Sequence, residues 1–414
     1  MTNQVLSKEE FADVVSKRID IPPDNTLVFD REHFALVVQD QAKQAVWTYN
    51  LGNFFAFYKE DPEKLEEIIQ RVRQLSFSEI DWTNYSEVKP QLRPAIRDRA
   101  SYELTWAELL RSHGDAAGPL NFVAMCDVFA LFPVVDVGLT QARIPHSSFD
   151  NWSVDFDQVF EQAQRNLSSD TTEYKFSIIA EEGSNTPSAY HSEWSDDYDA
   201  FRALQYDWSE LEVKGERLFL LLTPSVVEIW GSQDNFGTDY ALSQLAIAQD
   251  PENAHVRPLP PFVLYRRDGE MAIYSPDPIA EPVLYAALKL HQVKYFIHAY
   301  DMQKSFLESL PEIKDEGIFV SDYIGVQSKD SKIASVCSWT AGVDTLLPKT
   351  DFITFIDLDA GEGETSIVAR ARWDDALAIL PDLLELKKYF PYRYETKGFP
   401  TTGQLQRLGM CDIF

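Results

Sequence analysis

Apolar and polar positions alternate along this chain with two periods, and the period changes from segment to segment. Ser7 and Glu10 stand at capping-box spacing, and Phe11, Val14, Val15 and Ile19 follow at helical intervals, so a first helix is expected to end near Ile19. The runs TLVFD (26–30), FALVVQ (34–39) and QAVWTYN (44–50) read as short strands. Asp61-Pro62 is expected to cap and open a long helix that buries Leu65, Ile68, Ile69, Val72 and Leu75. KPQLRPAIRD (89–98) is expected to be extended, and FVAMCDVFALFPVVDV (122–137) to form two strands broken near Asp127 or Pro133. SVDFDQVFEQAQRNL (153–167) has the pattern of an amphipathic helix with Ser153 as N-cap and Phe156, Val159, Phe160 and Ala163 facing inward.

The middle of the chain continues with a strand YKFSIIA (174–180), a helix opening in DDYDAFRALQYDW (196–208), strands in RLFLLLTPS (217–225) and VVEIWGS (226–232), and a helix YALSQLAIAQ (240–249). FVLYRRDGEMAIYS (262–275) is a hairpin signal with its tight turn at Asp268-Gly269. SPDPIAEP (275–282) holds three prolines in eight residues and marks a boundary. Beyond it the pattern predicts a helix from Pro282 to about His291, a strand KYFIHAY (294–300), a helix DMQKSFLESL (301–310), three or four strands, and a last helix through residues 373–390. Without steady βαβ alternation the expected class is α+β, with mixed, mostly antiparallel sheets and flanking amphipathic helices in two units, 1–275 and 276–414.

At 414 residues the chain exceeds one ordinary core, and 45% hydrophobic with 13% aromatic residues supply enough material for two. The 37 basic and 66 acidic residues leave a formal net charge of −29. That balance argues against nucleic acid, whose phosphates need a basic patch, and against an anionic membrane surface. It favours solubility and, more specifically, an acidic face for a basic protein partner. The amino terminus lacks a positively charged segment followed by an apolar stretch, and no window approaches the ~20 apolar residues of a membrane span, so a cytoplasmic protein is expected. Cys126, Cys337 and Cys411 are too few and too far apart for a zinc site or a disulfide framework.

Four stretches in the first two thirds carry a family resemblance: NLGNFFAFYKED from Asn50, VKPQLRPAIRD (88–98), LNFVAMCDVFALFPVVD with the helix ending AQRNL, and SDDYDAFRAL (195–204). ERLFLLLTPSVVEIW and PPFVLYRRDGEM continue the same order. Over roughly residues 1–275 the chain resembles the YtpQ-like family of bacterial proteins, domain of unknown function 1444. The resemblance implies a fold-level relation and a bacterial origin, and it implies no activity and no catalytic residues. Phe201 and Arg202 follow the alanine of the acidic motif, where the family more usually has a small residue.

Candidate chemistry is sparse. Asp357 and Asp359 follow an apolar run, as the aspartates of haloacid-dehalogenase-type phosphatases do, but Gly361 stands where a threonine or valine is usual and only 55 residues remain. An EF-hand fails too: counted from Asp357, the fifth, sixth and twelfth positions are Gly361, Glu362 and Val368. A hairpin tip with solvated carboxylates is the expectation. His191, Glu193, Asp196, Asp197 and Asp199 form the densest set of metal-ligand types, the basis of an alternative reading as a metal-dependent hydrolase. Asp196 or Asp197 as a helix N-cap is the competing explanation. Cys126 and Cys337 lie in apolar runs and are expected to be buried, and His298 is expected to be a core histidine. Trp339, Gly342, Asp344 and Lys349 are candidates to line a shallow binding surface. No nucleophile elbow, P-loop or dinucleotide turn occurs. The reading is a non-enzymatic binding module without a cofactor, engaging a basic protein partner.

Overall fold

The structure, a computed structural model, describes all residues except 1–4, 22–23, 32–33, 40–44, 78–79, 114–118, 138–140, 185, 207, 251–256 and 360–365. The chain is α+β, with mostly antiparallel sheets. It folds into two compact units, one of residues 1–95, 132–174 and 250–258, the other of residues 96–131, 175–249 and 259–414. The expected boundary at 275/276 lies inside the second unit. No helix among the described residues is long and apolar enough to cross a membrane.

In the first unit the helix Lys8–Ser16 begins at the expected capping box, with Ser7 and Glu10 each bonding the other's backbone. Strands Thr26–Asp30, Ala35–Gln39 and Ala45–Asn50 form an antiparallel meander. Phe11, Leu36, Leu51, Ile69 and Val72 close its core. Asp61 opens a 3-10 turn, Pro62–Lys64, before the α-helix Leu65–Phe77. The helix Gly52–Glu60, which the periodicity does not announce, precedes it. A second core joins Val88, Leu92, Val135, Trp152, Val159 and Ala163. Here the N-cap expectation is corrected: Asp155, not Ser153, caps the helix Phe156–Asp170, in a capping box with Gln158. Ser153 has φ 53° and ends the preceding helix His146–Trp152.

The second unit is built on a six-stranded antiparallel sheet. Its spatial order is Glu270–Ile273, Val263–Arg267, Arg217–Thr223, Val226–Gly231, Ala189–Ser192, Phe176–Ile179. The hairpin turn falls at Asp268 (φ 52°) and Gly269 (φ 89°), the two left-handed residues that match the strands' twist. Side chains alternate across the sheet. Leu218, Leu220, Leu222, Trp230 and Ala189 meet Ala241 and Leu245 of the helix Asn235–Ala248. The short helix Asp199–Gln205 packs against the same two central strands.

The helix–strand–helix expected over 282–310 is one 28-residue helix, Pro282–Ser309. Val293, Tyr300 and Leu307 are all buried at seven-residue spacing, so KYFIHAY reads as a strand only when taken alone. His298 is exposed on this helix rather than buried. Two four-stranded sheets follow. One orders Ile324–Gln327, Ile333–Thr340, Phe352–Asp357 and Ser366–Arg372; the other orders Phe319–Val320, Thr345–Pro348, Arg393–Thr396 and Leu384–Lys387. Each contains one parallel pair. The last expected helix stops at Ile379, because Pro381 denies the preceding residue a helical conformation, and a strand, Leu384–Lys387, takes up the rest.

Candidate functional site

The strand Ala189–Ser192 places the candidate metal ligands, and it parts them. His191 sits opposite Glu228 on the neighbouring strand, with Nδ1 2.7 Å from Oε1. Glu228 is fully buried, and its Oε2 has no hydrogen-bond partner among the described residues. The hydrogen bond to Glu228 raises the His191 pKa above its ordinary value, and burial raises that of Glu228.

Ser192 is the next residue, so its side chain points to the opposite face. Its Oγ accepts from the Val227 amide at 2.9 Å and hydrogen-bonds Asp199. Asp199 is buried, and burial pushes its carboxyl pKa up to about 6. Asp196 receives both terminal nitrogens of the buried Arg202 at 2.6 and 2.7 Å. Arg202 also lies over the Trp194 ring, 5.1 Å from its centroid. Asp197 accepts from Ser225 Oγ at 2.7 Å, and Glu193 is exposed. Among the described residues no three histidine, cysteine or acidic side chains come together as a metal-binding group. Neither Asp196 nor Asp197 caps the helix. Its N-cap is Tyr198, whose side chain makes no capping bond, and Asp196 accepts from the Tyr198 amide one residue early.

The second candidate set is also dispersed. Trp339 is fully buried, its ring 5.5 Å from Phe355 and 6.1 Å from Phe399, so it lines no surface. Gly342 takes φ 72° in the turn between two strands, and the Asp344 carbonyl accepts from the Phe319 amide. Lys349 is exposed, with its amide donating to Tyr300 Oη. Cys337 is buried as expected, its thiol pKa pushed up to about 12 by burial. Cys126 is only half-buried and occupies a left-handed turn, φ 50°, rather than a strand. Phe352–Asp357 and Ser366–Arg372 pair antiparallel, as expected of a hairpin; the tip, residues 360–365, lies outside the described residues.

The periodicity gives no sign of the end of the six-stranded sheet. Phe176–Ile179 pairs with Ala189–Ser192 on one side and with no described strand on the other. The bond from the Glu193 amide to the Lys175 carbonyl makes Phe176 and Ser192 a widely spaced pair. The N–H and C=O groups of Phe176 and Ile178 therefore point out of the sheet. Phe176 packs edge-on against Trp194 and Trp208, both at 5.1 Å. Ile178, on the same face of the strand, is 62% exposed. Glu181, Glu182 and Glu193, all exposed, lie beside this edge in the chain or on the paired strand. The run YKFSIIA announces the strand but not its place, because order in a sheet is set by long-range pairing. In comparison with known proteins, the chain matches no family model, no curated protein and no solved structure.

Proposed function

We propose that this chain is a non-enzymatic binding module that takes a basic, extended segment of a partner protein as an added strand on the edge Phe176–Ile179. The observation that carries the reading is that edge, with its outward backbone groups and the exposed Ile178 beside a tryptophan cluster. Strand addition draws affinity from main-chain hydrogen bonds and specificity from alternate side chains. Ile178 offers the apolar contact, while Glu181, Glu182 and Glu193, in a chain of net charge −29, select lysine or arginine at the flanks. A kinship of residues 1–275 with the YtpQ-like family is part of the proposal and concerns the fold alone.

The test uses a short synthetic peptide alternating lysine and valine, titrated at low ionic strength and again at about 0.15 M, where the Debye length falls to about 8 Å. Amide exchange at Phe176 and Ile178 is expected to slow on binding, and affinity to fall with salt. Ile178→Pro removes an outward N–H without costing a bond to Ala189–Ser192, so it should abolish binding and leave the sheet intact. Undiminished binding by that variant, or unchanged exchange at both amides, overturns the reading.

A further inference from the structure

Two arginines oppose each other in the same sheet. The register Leu218↔Tyr265 and Phe219↔Leu264, continued by one residue, sets Arg217 against Arg266. Like charges directly opposite on neighbouring strands are destabilising. The chain carries 66 acidic residues, yet among the described residues no carboxylate forms an ion pair with either one. Both are held by backbone carbonyls instead. Arg217 Nη2 donates to Leu211 at 2.9 Å. Arg266 Nη1 donates to Gly269 at 2.9 Å, and its Nη2 to Leu204 and Tyr206 at 3.0 and 3.1 Å. Carbonyl bonds fix the planes of the two forks, and among the described residues neither charge is paired with a carboxylate. Arg217 Nε is buried with no hydrogen-bond partner among the described residues.

The two side chains line one cavity of about 220 Å³, together with Val213, Gly215, Glu216 and Phe219. Glu216 shares the lining, but among the described residues its carboxylate forms no ion pair with either arginine. Gly215, at φ 85°, brings bare backbone to the wall, and a Cβ there would meet Ser232 Oγ at 2.6 Å. The volume falls below the ~300–1,000 Å³ of sites for drug-sized ligands, so the occupant is small. Two fixed guanidinium forks match the geometry of an oxyanion, and a phosphate group near neutral pH carries about −1.5 to −2 charges to balance both.

We propose that the cavity between Arg217 and Arg266 is a binding site for a phosphate group, free or as the monoester of a small molecule. Binding would relieve the repulsion between the two cations and supply the missing acceptor for Arg217. The site stands apart from the strand edge and does not depend on it.

The experiment follows the thermal midpoint and binding heat of the full chain with inorganic phosphate, with glycerol phosphate, and with chloride at matched ionic strength. Stabilisation by phosphate over chloride is expected, because a ligand that binds the native state alone raises its stability by mass action. Tighter binding of glycerol phosphate would assign the monoester as the source, and tighter binding of inorganic phosphate the free ion. Arg217→Gln should weaken binding by roughly tenfold or more, the loss of a charge-assisted hydrogen bond. Arg266→Gln should do the same, but it also frees three structural carbonyls. Arg217→Lys keeps the charge, loses the fork, and is expected to bind several-fold more weakly while folding normally. An equal shift with chloride, or full affinity in both Arg217 variants, overturns the proposal.

Discussion

His191 Nδ1 lies 2.7 Å from Oε1 of Glu228, and Glu228 has no other hydrogen bond to a side chain among the described residues. A fully buried carboxylate is costly unless paired, so the charge state of one half-exposed imidazole governs the pair. The His191 pKa is raised above 6.5 by its bond to Glu228, and the Glu228 pKa is raised above 4.5 by burial. A histidine raised in the fold stabilises fully below its unfolded value and loses that contribution as pH rises through the folded one. A raised carboxyl has the same sign, since the fold holds the proton more tightly than the unfolded chain does. Asp199, raised from 3.8 to about 6, adds to the same trend. His291, whose pKa burial lowers, acts with the opposite sign; the three raised groups outweigh it, so urea midpoints are expected to fall from pH 5 to pH 8, and Glu228→Gln to flatten the upper part of that fall. A midpoint that rises over this range contradicts the pairing.

Arg393 is another fully buried charge, and among the described residues it forms no ion pair with a carboxylate. Its guanidinium donates to Gln303 Oε1 at 2.6 Å and to the carbonyls of Ser321, Leu346 and Tyr300 at 2.8, 3.1 and 3.3 Å. It also lies 5.1 Å from the Tyr300 ring centroid. Burial lowers its pKa to about 10, which still leaves it charged at neutral pH. One side chain thus ties the long helix Pro282–Ser309 to the strands Thr345–Pro348 and Arg393–Thr396. Arg393→Ala strands several buried acceptors, each worth about 1–3 kcal/mol, and opens a cavity. A loss above about 3 kcal/mol is expected by chemical denaturation. A loss under about 1 kcal/mol would mean the acceptors find other donors.

Asp357 and Asp359 are expected to behave as turn residues. Asp357 Oδ1 accepts from the Asp359 amide at 3.0 Å, a local bond that asparagine reproduces. Replacing both by asparagine should change stability by no more than about 0.5 kcal/mol, the range for surface positions away from special features. Calcium and magnesium should leave the melting temperature unchanged. A costly Asp357→Asn, or a rise with either ion, would restore the pair as a site.

How much of the fold is legible in the sequence depends on the range of the interaction. Capping boxes, the Asp268-Gly269 turn and the alternating strands are local, and Ser7 with Glu10 or Leu218 with Leu220 can be read directly. The helix Pro282–Ser309 escapes the pattern because apolar residues occupy several of its sides, and only a narrow exposed stripe of Lys294, His298 and Asp301 marks its period. Trp339 shows the same limit from the other side. Its neighbours Gly342, Asp344 and Lys349 look like a surface, but pairing of Ile333–Thr340 with Phe352–Asp357 turns the indole into the core. The dense acidic stretch is legible as residues and not as a site. Alternation along Ala189–Ser192 sends His191 to one face and Ser192, with its partner Asp199, to the other. The opposition of Arg217 and Arg266 arises only from strand register, which no short window contains.

The cysteines give the last expectation, an order of reactivity. Thiolate is the reactive form, so attack follows exposure and a low pKa. Cys337 has neither: it is 2% exposed, burial pushes its pKa up to about 12, and Thr350 Oγ1 lies 3.3 Å from its sulfur. Cys126 is half-buried in its turn, with Sγ 3.4 Å from the Met271 carbonyl and a pKa raised by burial. Cys411 is half-exposed near the carboxy terminus, with its Sγ 3.3 Å from the Asp412 carbonyl. A neutral thiol reagent at pH 8 is therefore expected to label Cys411 first, Cys126 more slowly, and Cys337 only at the rate of unfolding. Adding denaturant below the midpoint should accelerate Cys337 alone in proportion to the unfolded fraction. Prompt labelling of Cys337 in the native protein would contradict the packing around Trp339 and Phe355, since those rings share its core.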